Sequence, residues 1–276
     1  KRGNNGRVNE RAFRVFPLGV FEFVYGLVTR NDANVVTRNN GRGRGKAEGK
    51  RTCFLYIFGG FSPTVAAFLV CRKGGFKAWI GSVFDFRHKL TAYLLVLIFA
   101  AAFFLTLCLT CGFTPGAPIF IVPLMIPAML FGGGLEEAGW RGILQPELEK
   151  KLGFTLSALI VAVIWWVWHL PLFFIPGVGQ YGADFFVFGI NVLGLTFALG
   201  AVKKCTGSTW LCVLAHCLIN SLHSVFIIHD SYLGSAAAAA VLIALALILV
   251  QVQKKKKSRR RKLILNLKRS ALQPIQ

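Results

Sequence analysis

Acidic residues are scarce in this sequence: 11 Asp and Glu stand against 32 Lys and Arg, for a formal net charge of +21 over 276 residues. An excess of that size points to nucleic acid until it is divided along the chain. Residues 1–52 hold 12 basic and 4 acidic side chains, residues 254–276 hold 10 and none, and residues 53–253 hold 10 and 7. The excess lies on the two tails, where anionic lipid headgroups account for it, so no nucleic-acid partner is expected. Long polar stretches are missing from the body as well. With 55% hydrophobic residues, a mean hydropathy of +0.59 and apolar runs of about 18 to 22 residues, the chain reads as a polytopic membrane protein, excluding a soluble domain.

Two chemical patterns are also lacking. No HExxH occurs, which excludes the common zinc-protease helix as a template. The seven cysteines (53, 71, 108, 111, 205, 212 and 217) form no metal or disulfide framework: Cys108 and Cys111 have CxxC spacing, but no second pair or histidine lies nearby, and packing is their expected role. Lys1 stands in place of methionine, as in a truncated or processed chain, and no small-residue cleavage site follows the apolar stretch from Ala12 to Val28.

What is present is a series of apolar runs. Residues 11–29 make a poor span, interrupted by Arg14, Pro17 and Glu22, and residues 30–52 read as a polar linker. Better spans are expected at 53–70, 90–111, 117–135, 154–174, 185–202, 208–228 and 235–252, giving an all-α bundle of about seven to eight transmembrane helices. The domain plan is thus a basic N-terminal region (1–52), a membrane-embedded body (53–253) and a basic tail (254–276). The run of Lys and Arg over 254–262 sets the C-terminus in the cytoplasm of a multi-pass cell-membrane protein. Loops 175–184 and 229–234, without Lys or Arg, fall on the other side, and only the basic 30–52 stretch breaks the alternation.

Against this apolar background a few polar side chains stand out. Glu136, Glu137 and Arg141 follow the run that ends in Gly132-Gly133-Gly134-Leu135, where a charge near the membrane centre costs roughly 2.5 to 3.5 kcal/mol. Glu137 and Arg141 are four apart, as in a helical ion pair, which leaves Glu136 to point elsewhere. His169 lies late in its span, and Pro171 should end or bend that helix just after it. The tryptophans at 165, 166 and 168 fit an interfacial aromatic belt. His216 and Asn220 are one turn apart on one face, with His223 extending the stripe as second-line or packing residue. His88 and His229 read as surface residues. A carboxylate, a histidine, and a histidine with an asparagine, from three spans, either complete a zinc site with an open position or set a carboxylate base beside oxyanion-stabilising groups; both activate water.

EEAGWRG at 136–142, WHLP at 168–171 and HCLIN at 216–220 resemble the three motifs of the CPBP intramembrane proteases, the family of CAAX prenyl endopeptidases and of bacteriocin-processing and Abi proteins. Its pattern is EExxxR, FxxxH and HxxxN; here Trp165 replaces the usual phenylalanine, and the resemblance covers residues 118–225. It implies an endopeptidase acting on a membrane-associated protein or peptide, prenylated or carrying a leader. Glu136 would activate water, His169 would be its partner, His216 and Asn220 would position water or stabilise the oxyanion, and Glu137 and Arg141 would support the site. It also implies a divalent metal, zinc first, on Glu136, His169 and His216. Two other readings compete: a silent immunity or scaffold protein on the same fold, and a transporter, which the gathering of polar residues at three points and the lack of an inverted repeat disfavour.

Overall fold

The computed structural model describes residues 59–71, 74–175 and 178–271. The doubtful first span, the linker, Cys53, Arg72 and Lys73 lie outside them. Eight helices dominate: α1 (Gly59–Cys71), α2 (Phe76–Val83), α3 (Leu90–Thr110), α4 (Val122–Met129), α5 (Gln145–Trp168), α6 (Phe185–Thr206), α7 (Thr209–His223) and α8 (Tyr232–Ala271). Four helical runs are long and apolar enough to cross a membrane, and α1, the stretch around α4, and α7 are shorter apolar helices. The architecture is the expected helical membrane bundle. Its only β-structure among the described residues is a ribbon of β1 (Phe113–Pro115) and β2 (Phe226–Ile228), paired antiparallel with Phe113 opposite Ile228.

Apolar residues occur on both faces of the long helices, as lipid contact requires. On α3, Val96, Phe99, Phe103 and Leu107 are buried in the bundle, while Leu94, Leu97, Ile98 and Leu105 are exposed. A helix apolar all round has two solvents, core and hydrocarbon. Small residues bring α6 and α8 together: Gly194 faces Ala239 so closely that a Cβ on the glycine would lie 2.7 Å from the Ala239 Cα. Cysteines fill the same kind of gap, Cys217 against Gly134 and Cys111 against Gly234, as the packing role anticipates.

Two expected spans take another form. The 117–135 segment is a single turn of 3-10 helix (Ile119–Ile121) leading into α4, only eight residues long. The helical run that starts at Gly134 extends to Phe174 but is not one rod, because Gly153 interrupts it with φ 73 and ψ 177. That positive φ suits glycine, and the chain folds back there. Arg141 and Trp165, each twelve residues from Gly153, come face to face, with the guanidinium carbon 4.4 Å from the ring centroid. Glu136 and Glu137 therefore open a helical leg inside the bundle instead of closing a span at its edge. The leg ends in Glu147, Glu149, Lys150 and Lys151, where Lys204 pairs with Glu149 and Gln253 donates to the carbonyl oxygens of Lys204 and Cys205. One end of the bundle thus collects the basic residues of three helices. At the other end the Tyr232 hydroxyl donates to Asp184 (2.7 Å), and Thr114 meets His229 (3.0 Å) beside the ribbon.

Candidate active site

The Gly132–Arg141 segment changes helical type three times. A 3-10 turn (Gly134–Glu136) passes through one α-turn (Glu137–Gly139) into a π-helical stretch (Trp140–Leu144), and only then does α5 begin. Such π turns are uncommon and tend to occur at functional sites. Here the irregular stretch carries both carboxylates. Thr64 on α1 anchors its start by donating to the Leu135 carbonyl at 2.7 Å.

Glu137 is completely buried, and one oxygen, Oε1, accepts from Arg141 Nη1 at 3.0 Å and from His216 Nδ1 at 2.9 Å. The expected Glu137–Arg141 pair is present, with both side chains at 0% exposure. A buried carboxylate needs both a countercharge and hydrogen bonds, and Arg141, itself laid over the Trp165 ring, supplies the charge. Glu136 points elsewhere, as its position on the helix requires. Its Oε2 accepts from the indole N–H of Trp165 (2.9 Å) and of Trp140 (3.4 Å), and no hydrogen bond from a described residue engages Oε1.

His169 caps α5, which ends at Trp168 as Pro171 dictates; a 3-10 turn (Leu170–Phe174) follows. Its Nδ1–H donates to the Trp165 carbonyl at 2.7 Å, and its ring is enclosed by Trp165, Trp168 and Phe188. Both histidines are thus held through Nδ1, because the acceptor in each case is an oxygen without a proton. A neutral ring so held presents a lone pair at Nε2. Asn220 donates from Nδ2 to the Gly132 carbonyl at 3.0 Å. Gly133, at φ 130, lies between these groups. A Cβ there would stand 2.7 Å from His216 Nε2 and 3.1 Å from Asn220 Nδ2.

Glu136, His169, His216 and Asn220 line one cavity of about 1390 Å³, which runs from the carboxylate toward the end of the bundle that carries Asp184 and Asp230. The structure therefore brings together all four residues named as catalytic, with Glu137 and Arg141 behind them. The tryptophans are a correction. Trp165 and Trp168 are 3% and 8% exposed, Trp165 hydrogen-bonds Glu136, and Trp166 donates to the Phe185 carbonyl at 2.9 Å. Trp165 belongs to the interior because the carboxylate of Glu136 needs a donor there, Trp168 is buried edge-on against His169, and Trp166 is half-buried. Sequence reasoning also missed Trp140, Gly132 and Gly133, although the triple glycine itself was a signal that backbone approaches closely there. For a metal, the donor types suit a divalent ion, and a histidine ligand is normally oriented through its second nitrogen as both are here. Among the described residues, however, no three His, Cys, Asp or Glu side chains are gathered as a metal-holding group.

Residues 118–222 match the family model described as Rce1-like, type II CAAX prenyl endopeptidase. The matched region runs from the segment before α4 to the end of α7 and contains every one of the site residues named above. A curated protein named CAAX prenyl protease 2, from Methanococcus maripaludis, is 28% identical over 93 residues, 33% of this chain. The match spans 32% of that relative's length.

Proposed function

We propose that this chain, through the match over residues 118–222, is an intramembrane endopeptidase of the CPBP type cleaving a peptide bond in a membrane-associated protein or peptide. The observation that carries the reading is the convergence of Glu136, His169, His216 and Asn220, from three chain segments, on one cavity in an otherwise apolar bundle. Oε1 of Glu136 takes a proton from a water molecule, and the oxygen attacks the carbonyl carbon of the scissile bond. The two indole N–H groups on Oε2 keep the carboxylate turned toward that water. The Nε2 lone pair of His216 accepts the water's other hydrogen and fixes its direction, and His169 lines the same cavity as its partner. The second N–H of Asn220 Nδ2, not engaged by Gly132, donates to the oxyanion of the tetrahedral intermediate. Collapse breaks the C–N bond, and Glu136 returns its proton to the leaving amine.

No step here uses a metal. Zinc on Glu136, His169 and His216 is a second reading, favoured by the Nδ1 hydrogen bonds that orient both rings; elemental analysis of the purified protein, with and without chelator, distinguishes the two. The basic end of the bundle would face the cytoplasm, on the argument from positive charge. The natural substrate class is tested by offering prenylated and unprenylated peptides to reconstituted protein and identifying products by mass spectrometry. Glu136→Ala, His169→Ala and His216→Ala should each abolish cleavage while membrane insertion is retained. Full activity in Glu136→Ala refutes the assignment.

A further inference from the structure

Four buried polar atoms behind the site have no hydrogen-bond partner among the described residues: Glu137 Oε2, Arg141 Nε and Nη2, and Gln145 Oε1. Glu137 and Arg141 are at 0% exposure and Gln145 at 1%, so bulk solvent does not reach them. Protein interiors avoid bare polar atoms by pairing them or by holding an ordered water among them. The Trp165 ring draws the charge of Arg141 but offers its N–H groups no oxygen or nitrogen lone pair. The set is balanced, two donor nitrogens against two acceptor oxygens.

The three side chains follow one another at four-residue intervals, which makes them neighbours on one face of the leg. Glu137 and Arg141 already touch through Oε1 and Nη1, so Oε2 and Nη2 lie next to that contact. Gln145 donates from Nε2 to Glu149 at 3.3 Å, which turns its Oε1 away from Glu149. The amide rests on α6 so closely that a Cβ on Gly200 would stand 2.2 Å from Nε2. The glycine makes room for that amide and holds it in place.

We propose that one ordered water molecule binds among these atoms, accepting from Arg141 Nε and Nη2 and donating to Glu137 Oε2 and Gln145 Oε1, and that Gln145 is thereby a positioning residue for His216. Such a water makes four hydrogen bonds, the upper end of what buried waters show. The bridge keeps the guanidinium on Glu137, and Glu137 Oε1 in turn holds His216 Nδ1 at 2.9 Å. Glu137, Arg141 and Gln145 are not among the residues lining the cavity, so loosening the bridge alters the aim of His216 and not the hold on substrate. The effect on rate rests on the endopeptidase reading, whereas the water site stands on burial and hydrogen bonding alone.

The first test is a crystal structure of the full chain at a resolution that shows ordered water. Density within hydrogen-bond distance of all three side chains is expected; a dry contact there overturns the site. The second test is kinetic. Gln145→Met, of similar length but without the acceptor, should lower kcat on a cleaved peptide about tenfold, the worth of one good hydrogen bond, with KM unchanged. Gln145→Glu, which keeps an acceptor at that position, should stay within about threefold of the wild type. Glu149→Gln, which removes only the partner on the far side of the amide, should leave kcat as it is. Full activity in Gln145→Met, a change confined to KM, or an equal loss in Glu149→Gln overturns the positioning role and leaves the protease reading intact. If the wild type cleaves nothing, the protease reading fails, and the density decides the water site by itself.

Discussion

Replacing Gly133 with alanine tests the active-site geometry without removing any functional group. Two penalties are built into the position. At φ 130 a residue with a Cβ is strained, by about 1 to 3 kcal/mol for such sparsely populated backbone. The new methyl would also lie 2.7 Å from His216 Nε2, where ordinary contact begins at 3.4 Å, so ring or backbone must give by about 0.7 Å. His216 is not free to retreat, because its other nitrogen is held by Glu137 at 2.9 Å. A displacement approaching 1 Å of a group that positions the reacting water lowers the rate by about a hundredfold. The assay is kcat on a cleaved peptide, with the thermal midpoint in the same detergent measured alongside. Gly132→Ala is the control: its Cβ would meet the flexible Met129 sulfur at 3.3 Å and the Met129 Cα at an ordinary 3.7 Å, and the carbonyl that receives Asn220 survives the change. Gly133→Ala should therefore lose about two orders of magnitude in kcat, and Gly132→Ala less than threefold. Equal activity in Gly133→Ala and wild type would refute the placement of His216 Nε2 beside the reacting groups.

Other expectations concern stability and can be read without a substrate. Arg141→Met leaves the Glu137 charge buried without its countercharge and should destabilise the protein by roughly 3 to 5 kcal/mol, measured by unfolding in detergent. Adding Glu137→Gln to it should recover more than half of that loss, since the unpaired charge is then gone; no recovery would mean that the pair matters through packing instead. At the opposite end, the Tyr232 hydroxyl, followed by the Val187 and Phe186 amides, holds the Asp184 carboxyl below the usual carboxylate range. A carboxyl lowered in the folded state stabilises above its unfolded value and stops doing so as pH falls through the folded one, so this contribution is present at neutral pH and lost below about pH 4. Asp184→Asn should accordingly flatten the acid side of the thermal midpoint against pH, and an unchanged acid slope would remove Asp184 from that role.

Much of the site was legible because its chemistry is expensive in a membrane. Charged and imidazole side chains interrupting apolar runs stand out by type, and helical spacing alone predicted the Glu137–Arg141 pair, the divergence of Glu136, the shared face of His216 and Asn220, and the stop after His169. Residues 53–58 of the first good span fall outside the described residues, and the expected spans at 90–111, 154–174 and 185–202 closely match helices. Hydropathy could not reveal that 117–135 does not make a full span or that the chain doubles back at Gly153, because apolar content reports the solvent of a segment and not its direction.

The sequence by itself determined the class of solvent, the helical periodicity and which polar side chains stand out as candidates, since these depend on residue type and on spacing within one helix. Tertiary structure decided which groups meet. The folding back at Gly153 lays Trp165 over Arg141 and beside Glu136, so a tryptophan that read as part of an interfacial belt becomes an interior donor to a carboxylate. The close approach of α7 turns a run of glycines into the wall that His216 and Asn220 touch. Those relations span 29, 79 and 88 residues of chain, distances over which no local pattern carries information, and only packing fixes them.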